Sequence, residues 1–287
     1  MIHLKKAQLE FKNHLKDSGK SFHTVTSYGK HLNELVAFLL ELNKEHVHLI
    51  TKEDLEKFLD KLLKKGQSAK SINSKAVALK SFFKFLEIKE YITQNPAAAL
   101  KYLKEEVKAP RILSVVEYRA LRDATRYDVR YHAIIELMLQ TGIKIGEVSR
   151  IRIKDLKLNG VTKLDILDEK MRISRTVPLN SPAKKAIEEY LKVRPKVKSE
   201  VLFITRSGKA INPRNIRLAI AGYYKKAGIV DARVHDLRHT FCAHHVKKGT
   251  SLTAIAYMAG HKNLNTTRKY LECIESPKFE ELEKHAL

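Results

Sequence analysis

Residues 234–241 read Val-His-Asp-Leu-Arg-His-Thr-Phe, and this stretch sets the expectations for the second part of the chain. His235 and Arg238 are three residues apart, so on a helix both side chains point to one face. Further along, residues 258–261 read Met-Ala-Gly-His and residues 265–270 read Asn-Thr-Thr-Arg-Lys-Tyr. A guanidinium, two imidazoles and a phenol in one short segment are groups that can bind phosphate and move protons.

The charge of the chain also indicates a phosphate-rich partner. In 287 residues, 55 Lys and Arg against 32 Asp and Glu give a formal net charge of +23 at pH 7. Such an excess favours a nucleic acid as partner, with a solubilising surface charge as the alternative. Every arginine follows residue 110. Because a guanidinium fork suits phosphate better than an ammonium does, the phosphate chemistry is predicted in that part.

The composition excludes several other classes of protein. No apolar run approaches the ~20 residues that cross a bilayer, and the N-terminus lacks the features of a signal peptide. The two cysteines, Cys242 and Cys273, have no metal-ligand spacing and predict no disulfide framework. We therefore expect a cytoplasmic protein without a bound metal, and we interpret Cys242 as a core thiol.

The first 103 residues are predicted to form a bundle of four helices, because apolar residues recur at three- and four-residue intervals. The predicted helices begin near Leu9 and at Thr24, Thr51 and Ser71. The Thr51-x-x-Asp54 spacing is typical of a capping box. Residues 104–112 are charged, contain a proline and are expected to form a linker.

Residues 113–287 are predicted to form a mainly helical domain with a small antiparallel β-sheet. A second capping box lies at residues 114–117, and residues 131–140 form a strongly apolar helix. Strands are predicted at residues 161–167 and 176–179, on either side of a polar turn. Further helices are expected from Ser181 and over residues 211–227, 236–247 and 251–258.

Together these motifs resemble those of the tyrosine recombinases, or phage integrase family. The pattern His235-x-x-Arg238 is followed by a Gly-His pair ending at His261, and Tyr270 lies nine residues beyond that histidine. The resemblance extends over nearly the whole chain. It implies a SAM-like, four-helix core-binding domain at residues 1–103 and a tyrosine recombinase catalytic domain at residues 113–287.

The resemblance implies a role for each motif residue. Tyr270 would attack a DNA phosphate, Arg238 would hold its non-bridging oxygens, and His235 and His261 would donate hydrogen bonds or move protons. The products would be 3′-phosphotyrosyl DNA and a free 5′-hydroxyl. A covalent phosphotyrosine conserves the energy of the broken bond, so no cofactor, neither ATP nor metal, is expected.

The leaving oxygen needs a proton, which the family supplies from a lysine in the turn between two strands. Lys170, eight residues before Pro178, occupies that place. Arg172 is a rival for the same role, since the turn lacks the usual glycines. His239 and Glu147 are expected to support the site, the latter by orienting a cation.

Lys144 departs from the family pattern, which has arginine at this position. Lysine keeps the charge but cannot make the bidentate hydrogen bonds of a guanidinium. The loss of one good transition-state contact costs roughly 3 kcal/mol, or about a hundredfold in rate. Three interpretations of Lys144 are open. It is a weaker substitute for the arginine, or the protein binds DNA but cleaves it poorly, or the residue has been altered in the material studied.

Double-stranded DNA is the expected partner, with binding that weakens as salt rises. Candidate contacts to its backbone are Lys70, Lys75, Arg172, Arg214 and Arg217. The family implies a protein that is monomeric when free and tetrameric on two DNA sites. The C-terminal tail at residues 276–283 would dock on a neighbouring subunit or, as the alternative, on its own domain.

Three functions stay open from the sequence. A site-specific recombinase acting through a Holliday junction is favoured by the order of the motifs, and the size favours a simple Xer-like member. A DNA-binding architectural protein with weakened cleavage is the first alternative, supported by Lys144. A type IB topoisomerase-like nicking-closing enzyme is the second. The sequence determines neither the DNA target nor whether the protein resolves chromosome dimers or integrates mobile elements.

Overall fold

The computed structural model describes residues 1–106 and 109–273. The chain divides into two compact units, one up to Val107 and one from Lys108, and this division falls inside the predicted linker. Helices predominate in both units, and a small three-stranded antiparallel sheet lies in the second. None of the helices in the described stretches is both long and apolar enough to cross a lipid bilayer.

The first unit contains four long helices, as the apolar periodicity predicted. These are α1 (Leu4–Asp17), α2 (Phe22–Glu41), α3 (Lys52–Lys64) and α4 (Ala69–Ile88). Their inward faces meet in one core, in which Phe11, Leu35, Phe58 and Phe82 are almost wholly buried. Most of the stabilisation of such helices comes from this shared apolar face rather than from intrinsic propensity.

Helices α2 and α4 begin two residues earlier than predicted, and α1 begins five residues before Leu9. The hydroxyl of Ser21 accepts the backbone N–H of Thr24, and the hydroxyl of Ser68 accepts that of Ser71. Thr24 and Ser71 therefore lie in the first turn and are not the capping residues. The predicted capping boxes at Thr51 and at residues 114–117 are confirmed.

The second unit is organised around one buried helix. Its helices are α5 (Val115–Ala124), α6 (Val129–Thr141), α7 (Ile145–Val148), α8 (Ser181–Val193), α9 (Pro213–Lys226), α10 (Val234–Lys247), α11 (Leu252–Ala259) and α12 (Asn265–Arg268). Helix α6 is buried along most of its length, as its apolar sequence predicted, and packs against both α8 and α10. It therefore supports α10, which carries the His-x-x-Arg motif.

The sheet has strand order β1-β2-β3, with β1 (Leu156–Lys157), β2 (Lys163–Leu167) and β3 (Ile173–Pro178). The predicted hairpin is confirmed, although β3 begins earlier than expected and β1 was not predicted. Along β3, Arg175 and Val177 are buried while Ser174 is exposed. Because side chains alternate across a strand, β3 directs an arginine into the domain.

Candidate active site

Helix α10 supplies the first group of candidate residues. It begins at Val234, two residues earlier than predicted, and the Asp236 carboxylate caps its first turn by accepting the backbone N–H of Arg233 at 2.7 Å. His235 is exposed, whereas Arg238 is only 1% exposed. The rings of His235 and His239, one turn apart, meet edge to face with centroids 4.5 Å apart. The helix therefore presents two imidazoles above a buried guanidinium.

The Arg238 guanidinium is held by the ends of two other helices. Its Nη1 donates to the carbonyl of Gly142, after α6, at 2.6 Å and to the carbonyl of Ala259, at the end of α11. Carbonyls at a helix C-terminus carry partial negative charge and attract cations. Burial lowers the pKa of Arg238, but a guanidinium keeps its proton in proteins.

The C-terminus of α11 binds three cations through consecutive carbonyls, those of residues 258–260. Arg175 donates from Nε to the first at 2.8 Å and from Nη2 to the second at 3.3 Å. Arg238 shares that second carbonyl, and Nζ of Lys144 donates to the third at 3.1 Å. We call these the α11 carbonyls. They gather side chains from three separate segments at one point.

Glu147 holds a cation at this site, and that cation is Arg175. The two side chains form a bidentate ion pair, in which both Nη–Oε distances are 2.9 Å. Lys144 gives Glu147 only its backbone N–H, at 2.8 Å. Burial alone would raise the pKa of the Glu147 carboxyl, but the hydrogen bonds and charge of Arg175 hold it below its usual value.

Arg175 is the residue that sequence reasoning missed. It is 7% exposed and lies on the inward face of β3 beside Val177. A buried charge needs a partner and satisfied hydrogen bonds, so an arginine at an inward position of an alternating strand was the available signal.

Lys144 is exposed at the N-terminus of α7, facing Arg238. Partial desolvation lowers the pKa of its ammonium, and the charges of Arg238, Arg175 and Lys262 lower it further, against the opposing effect of Glu147. The Lys144 ammonium therefore lies among several other positive charges.

Tyr270 lies in this same site. It is 2% exposed, and its hydroxyl is 2.6 Å from Nδ1 of His239. The phenol also contacts the Cys242 thiol and interacts electrostatically with Arg238. Burial raises the pKa of Cys242 to about 11, which agrees with a core thiol. His239 thus contacts the phenol oxygen directly.

His261 completes the group. Gly260 ends α11 with a φ of +68°, and the backbone N–H of His261 bonds back to Ala256 at 2.9 Å. Its Nδ1 lies 2.7 Å from the Thr267 hydroxyl on α12. Burial, followed by the charges of Arg238 and Lys144, lowers the pKa of His261 to about 4. At neutral pH its ring therefore has one donor and one acceptor nitrogen.

The pKa values of His235 and His239 are lowered for similar reasons. Burial, with nearby His235 and Arg238, lowers the pKa of His239 to about 4. Desolvation, followed by the charge of Arg238, also lowers the pKa of His235. A neutral His239 can accept the phenolic proton of Tyr270 through Nδ1, provided that its own proton is on Nε2.

The turn between β2 and β3 does not bring its candidates to Arg238. The Asp168 carboxylate accepts the backbone N–H groups of Lys170 and Arg172 at 2.8 and 2.9 Å, and also the Arg172 guanidinium at 2.8 and 3.0 Å. The Arg172 charge is therefore bound within the turn. The Lys170 side chain is exposed, and among the described residues it makes no ion pair or hydrogen bond to the site.

The candidate DNA contacts differ in exposure. Lys70, Arg214 and Arg217 are exposed, and Arg217 lines a cavity of about 270 Å³ together with His235. The prediction for Lys75 is wrong. Its side chain is buried on the inward face of α4, and its Nζ pairs with Glu34 at 2.6 Å, so it is not available to a phosphate.

Gly260→Ala is expected to destabilise the fold more than Gly249→Ala. Both glycines follow a helix with positive φ, +68° and +75°, where a side chain costs roughly 1–2 kcal/mol. A Cβ at Gly260 would also lie 2.6 Å from Nη1 of Arg175, whereas one at Gly249 meets nothing within 4 Å. Urea unfolding measures both free energies. Equal losses would contradict close packing at Gly260.

In the described part of the chain, no three His, Cys, Asp or Glu side chains are grouped so that they could hold a metal ion. The side chains that meet at the site are cationic or neutral, apart from Glu147. They can bind an anion, donate hydrogen bonds to it and accept a proton from the phenol. These are the requirements of attack by tyrosine on a phosphodiester.

Comparison with known proteins agrees with this geometry. Residues 106–275 match the phage integrase family, and residues 9–90 match the N-terminal SAM-like domain of phage integrases. The tyrosine recombinase XerC of Staphylococcus carnosus is 32% identical, over 87% of this chain and 86% of its own length. XerC of Thermodesulfovibrio yellowstonii is also 32% identical, over 91% of this chain and 89% of its own.

Solved structures share the fold. The Tn1549 transposon integrase in complex with circular intermediate DNA has a TM-score of 0.78 at 19% identity, with 99% of each chain covered. The XerH site-specific recombinase, in a post-cleavage complex with a palindromic difH substrate, has a TM-score of 0.76 at 21% identity, covering 93% of this chain and 80% of that one. The chain therefore belongs to the phage integrase family of tyrosine recombinases, which are enzymes of site-specific recombination.

Proposed function

We propose that this chain cuts and rejoins double-stranded DNA at specific sites through a covalent bond between Tyr270 and a DNA phosphate. The observation that carries the proposal is the meeting of the Tyr270 hydroxyl with Arg238 and His239 in one site. The cationic side chains around Arg238 would bind the phosphate, and the buried phenol is the nucleophile at hand.

The cleavage step follows from these positions. The Tyr270 oxygen attacks phosphorus while its proton passes to His239, and the bond from phosphorus to the 5′ oxygen breaks. Arg238 and Lys144 bind the non-bridging oxygens as charge builds on them, with His235 and His261 as hydrogen-bond donors. The leaving 5′ oxygen takes a proton from Lys170, whose turn must then close onto the DNA. A 3′-phosphotyrosine and a 5′-hydroxyl result.

Rejoining is the reverse reaction with a different 5′-hydroxyl. If that hydroxyl comes from a second DNA site, two sequential exchanges pass through a Holliday junction, and four subunits are needed to cut four strands. Exposed Lys70, Arg214 and Arg217 are the proposed contacts to the DNA backbone. Binding releases counterions from the DNA phosphates, and this release becomes less favourable as the salt concentration rises. DNA affinity should therefore fall steeply with ionic strength.

The proposed tetramer depends on the C-terminal tail, which lies outside the described residues. Deleting residues 277–287 is expected to leave binding to a single site within about twofold but to weaken assembly on two sites roughly tenfold or more, because each tail would hold a neighbouring subunit. Native gels with one-site and two-site DNA measure both. Unchanged assembly would refute docking between subunits and favour a tail folded on its own domain.

Trapping of the covalent intermediate tests the proposed reaction and finds the unknown target. Protein incubated with a duplex library is denatured in SDS, and the DNA that stays attached is sequenced. A duplex nicked beside the enriched phosphate then prevents rejoining, and a covalent adduct should accumulate on the peptide that contains Tyr270. Specific binding without adduct would support the architectural alternative. Relaxation of supercoils without strand exchange would support the topoisomerase.

A further inference from the structure

We propose that Arg175 is a positioning residue for cleavage, which sets the place and the charge of Lys144 and the place of His261 and Arg238. The inference deepens the proposed function and rests on it. Arg175 contacts none of the reacting atoms in our scheme, and it acts through the groups that it holds. Its contacts join three segments of the chain that are far apart in sequence.

One guanidinium makes all of these contacts. Its Nη atoms pair with the Glu147 carboxylate on α7, while Nε and Nη2 donate to the first two α11 carbonyls. Three nitrogens on a rigid plane therefore fix the angle between α7 and the end of α11. A lysine at position 175 has a single nitrogen and cannot meet a carboxylate and two carbonyls in this geometry.

The α11 carbonyls that Arg175 holds also bind the proposed catalytic side chains. The Ala259 carbonyl accepts from both Arg175 and Arg238, and the next carbonyl accepts from Lys144. His261 follows directly. A displacement of about 1 Å at a catalytic group can cost roughly a hundredfold in rate, so loss of the Arg175 contacts should reduce cleavage even though Arg175 stays remote from the phosphate.

Arg175 also determines which charge Glu147 neutralises. Its two Nη donors occupy both carboxylate oxygens, and Lys144 adds only a backbone N–H. The Lys144 ammonium is therefore left to bind a substrate phosphate. Without Arg175, Glu147 would be free to pair with that ammonium and withdraw it from the substrate.

The test compares Arg175→Gln and Arg175→Lys with a matched control, Arg122→Gln. Arg122 also pairs with a buried carboxylate, Glu136, but on α5 and α6, away from the α11 carbonyls. Single-turnover cleavage of the nicked duplex gives a rate constant and a final amount of adduct. We expect the rate constant to fall roughly 100-fold for the glutamine variant and roughly 10-fold for the lysine variant, with similar final adduct.

A residue that only stabilises the fold would behave like the control. Arg122→Gln should lower the melting temperature and reduce the final adduct without changing the rate constant. If Arg175→Gln gives this pattern, with a wild-type rate constant, the proposed positioning role is wrong.

A second readout does not depend on DNA cleavage. The rate of Lys144 acetylation, followed by mass spectrometry over a pH series with Lys225 as internal standard, reports the pKa of Lys144. Arg175→Gln should raise that pKa, because a cation is lost and Glu147 is released. Glu147→Gln should lower it, because an anion is lost. A site that was merely loosened would shift both variants in the same direction, and this result would overturn the inference.

The two readouts separate the proposals. Opposite shifts of the Lys144 pKa, together with no adduct from the unmodified protein, would reject DNA cleavage and keep the charge-setting role of Arg175. An adduct from the unmodified protein, together with an unchanged rate constant in Arg175→Gln, would keep cleavage and reject the role of Arg175.

Discussion

Replacing Tyr270 with phenylalanine is expected to reduce covalent DNA adduct below detection while DNA affinity stays within about twofold. Without the phenol oxygen there is no nucleophile at this position, and loss of a nucleophile removes essentially all covalent catalysis. Adduct on the nicked duplex is counted after SDS denaturation, and affinity is measured on the intact duplex.

The fold should survive this substitution. Tyr270 packs with Phe241, Ala243 and other buried residues, and phenylalanine keeps that packing. The lost contact to His239 is worth about 1 kcal/mol. Tyr257→Phe is the matched control, since Tyr257 is 55% exposed and its hydroxyl accepts the Thr176 backbone N–H at 3.2 Å. Persistent adduct in Tyr270→Phe would mean that a different residue is the nucleophile.

Lys144→Arg is expected to raise the single-turnover cleavage rate, by up to about a hundredfold. The Lys144 ammonium already donates to the Gly260 carbonyl. A guanidinium at the same place could keep that hydrogen bond and offer a second, parallel pair of donors to a phosphate. Lys144→Met, which keeps the length without the charge, should cleave more slowly than the unmodified protein.

The gain should grow with pH. Desolvation, followed by the charges of Arg238, Arg175 and Lys262, lowers the pKa of Lys144, opposed by Glu147. Lys144 is therefore fully protonated well below this depressed pKa and loses its positive charge as the pH rises through it. A guanidinium keeps its charge over the same range. Rates of the two proteins between about pH 7 and about pH 10 give the ratio. A constant ratio, or a slower variant, would show that the site has adapted to lysine.

Periodicity and short motifs were enough to predict the fold class and to identify several side chains that lie close together. The three- and four-residue spacing located the four long helices of the first unit. The motifs that contain His235, Arg238, His261 and Tyr270 identified residues that do lie together. The burial of Lys75 was also readable, since it lies three residues after Ile72 and four before Leu79 on one helix face.

The remaining features depend on tertiary contacts that no local pattern contains. The contact of Tyr270 with His239 joins residues 31 positions apart. The link from Arg175 to the end of α11 spans more than 80 positions. The direction of the Lys170 side chain depends on how Asp168 closes its turn, and the composition of that turn did not reveal it.

The arginines of this domain differ in how their charge is compensated. Arg172 and Arg175 face carboxylates, so each forms a locally neutral couple that attracts a distant anion only weakly. Within residues 109–273, Arg238 makes no ion pair, and the oxygens that hold it belong to uncharged peptide groups. Peptide dipoles stabilise a cation without cancelling its net charge. In the proposed reaction, a DNA phosphate would therefore not have to displace a carboxylate from Arg238, and it would meet the full positive charge of the guanidinium.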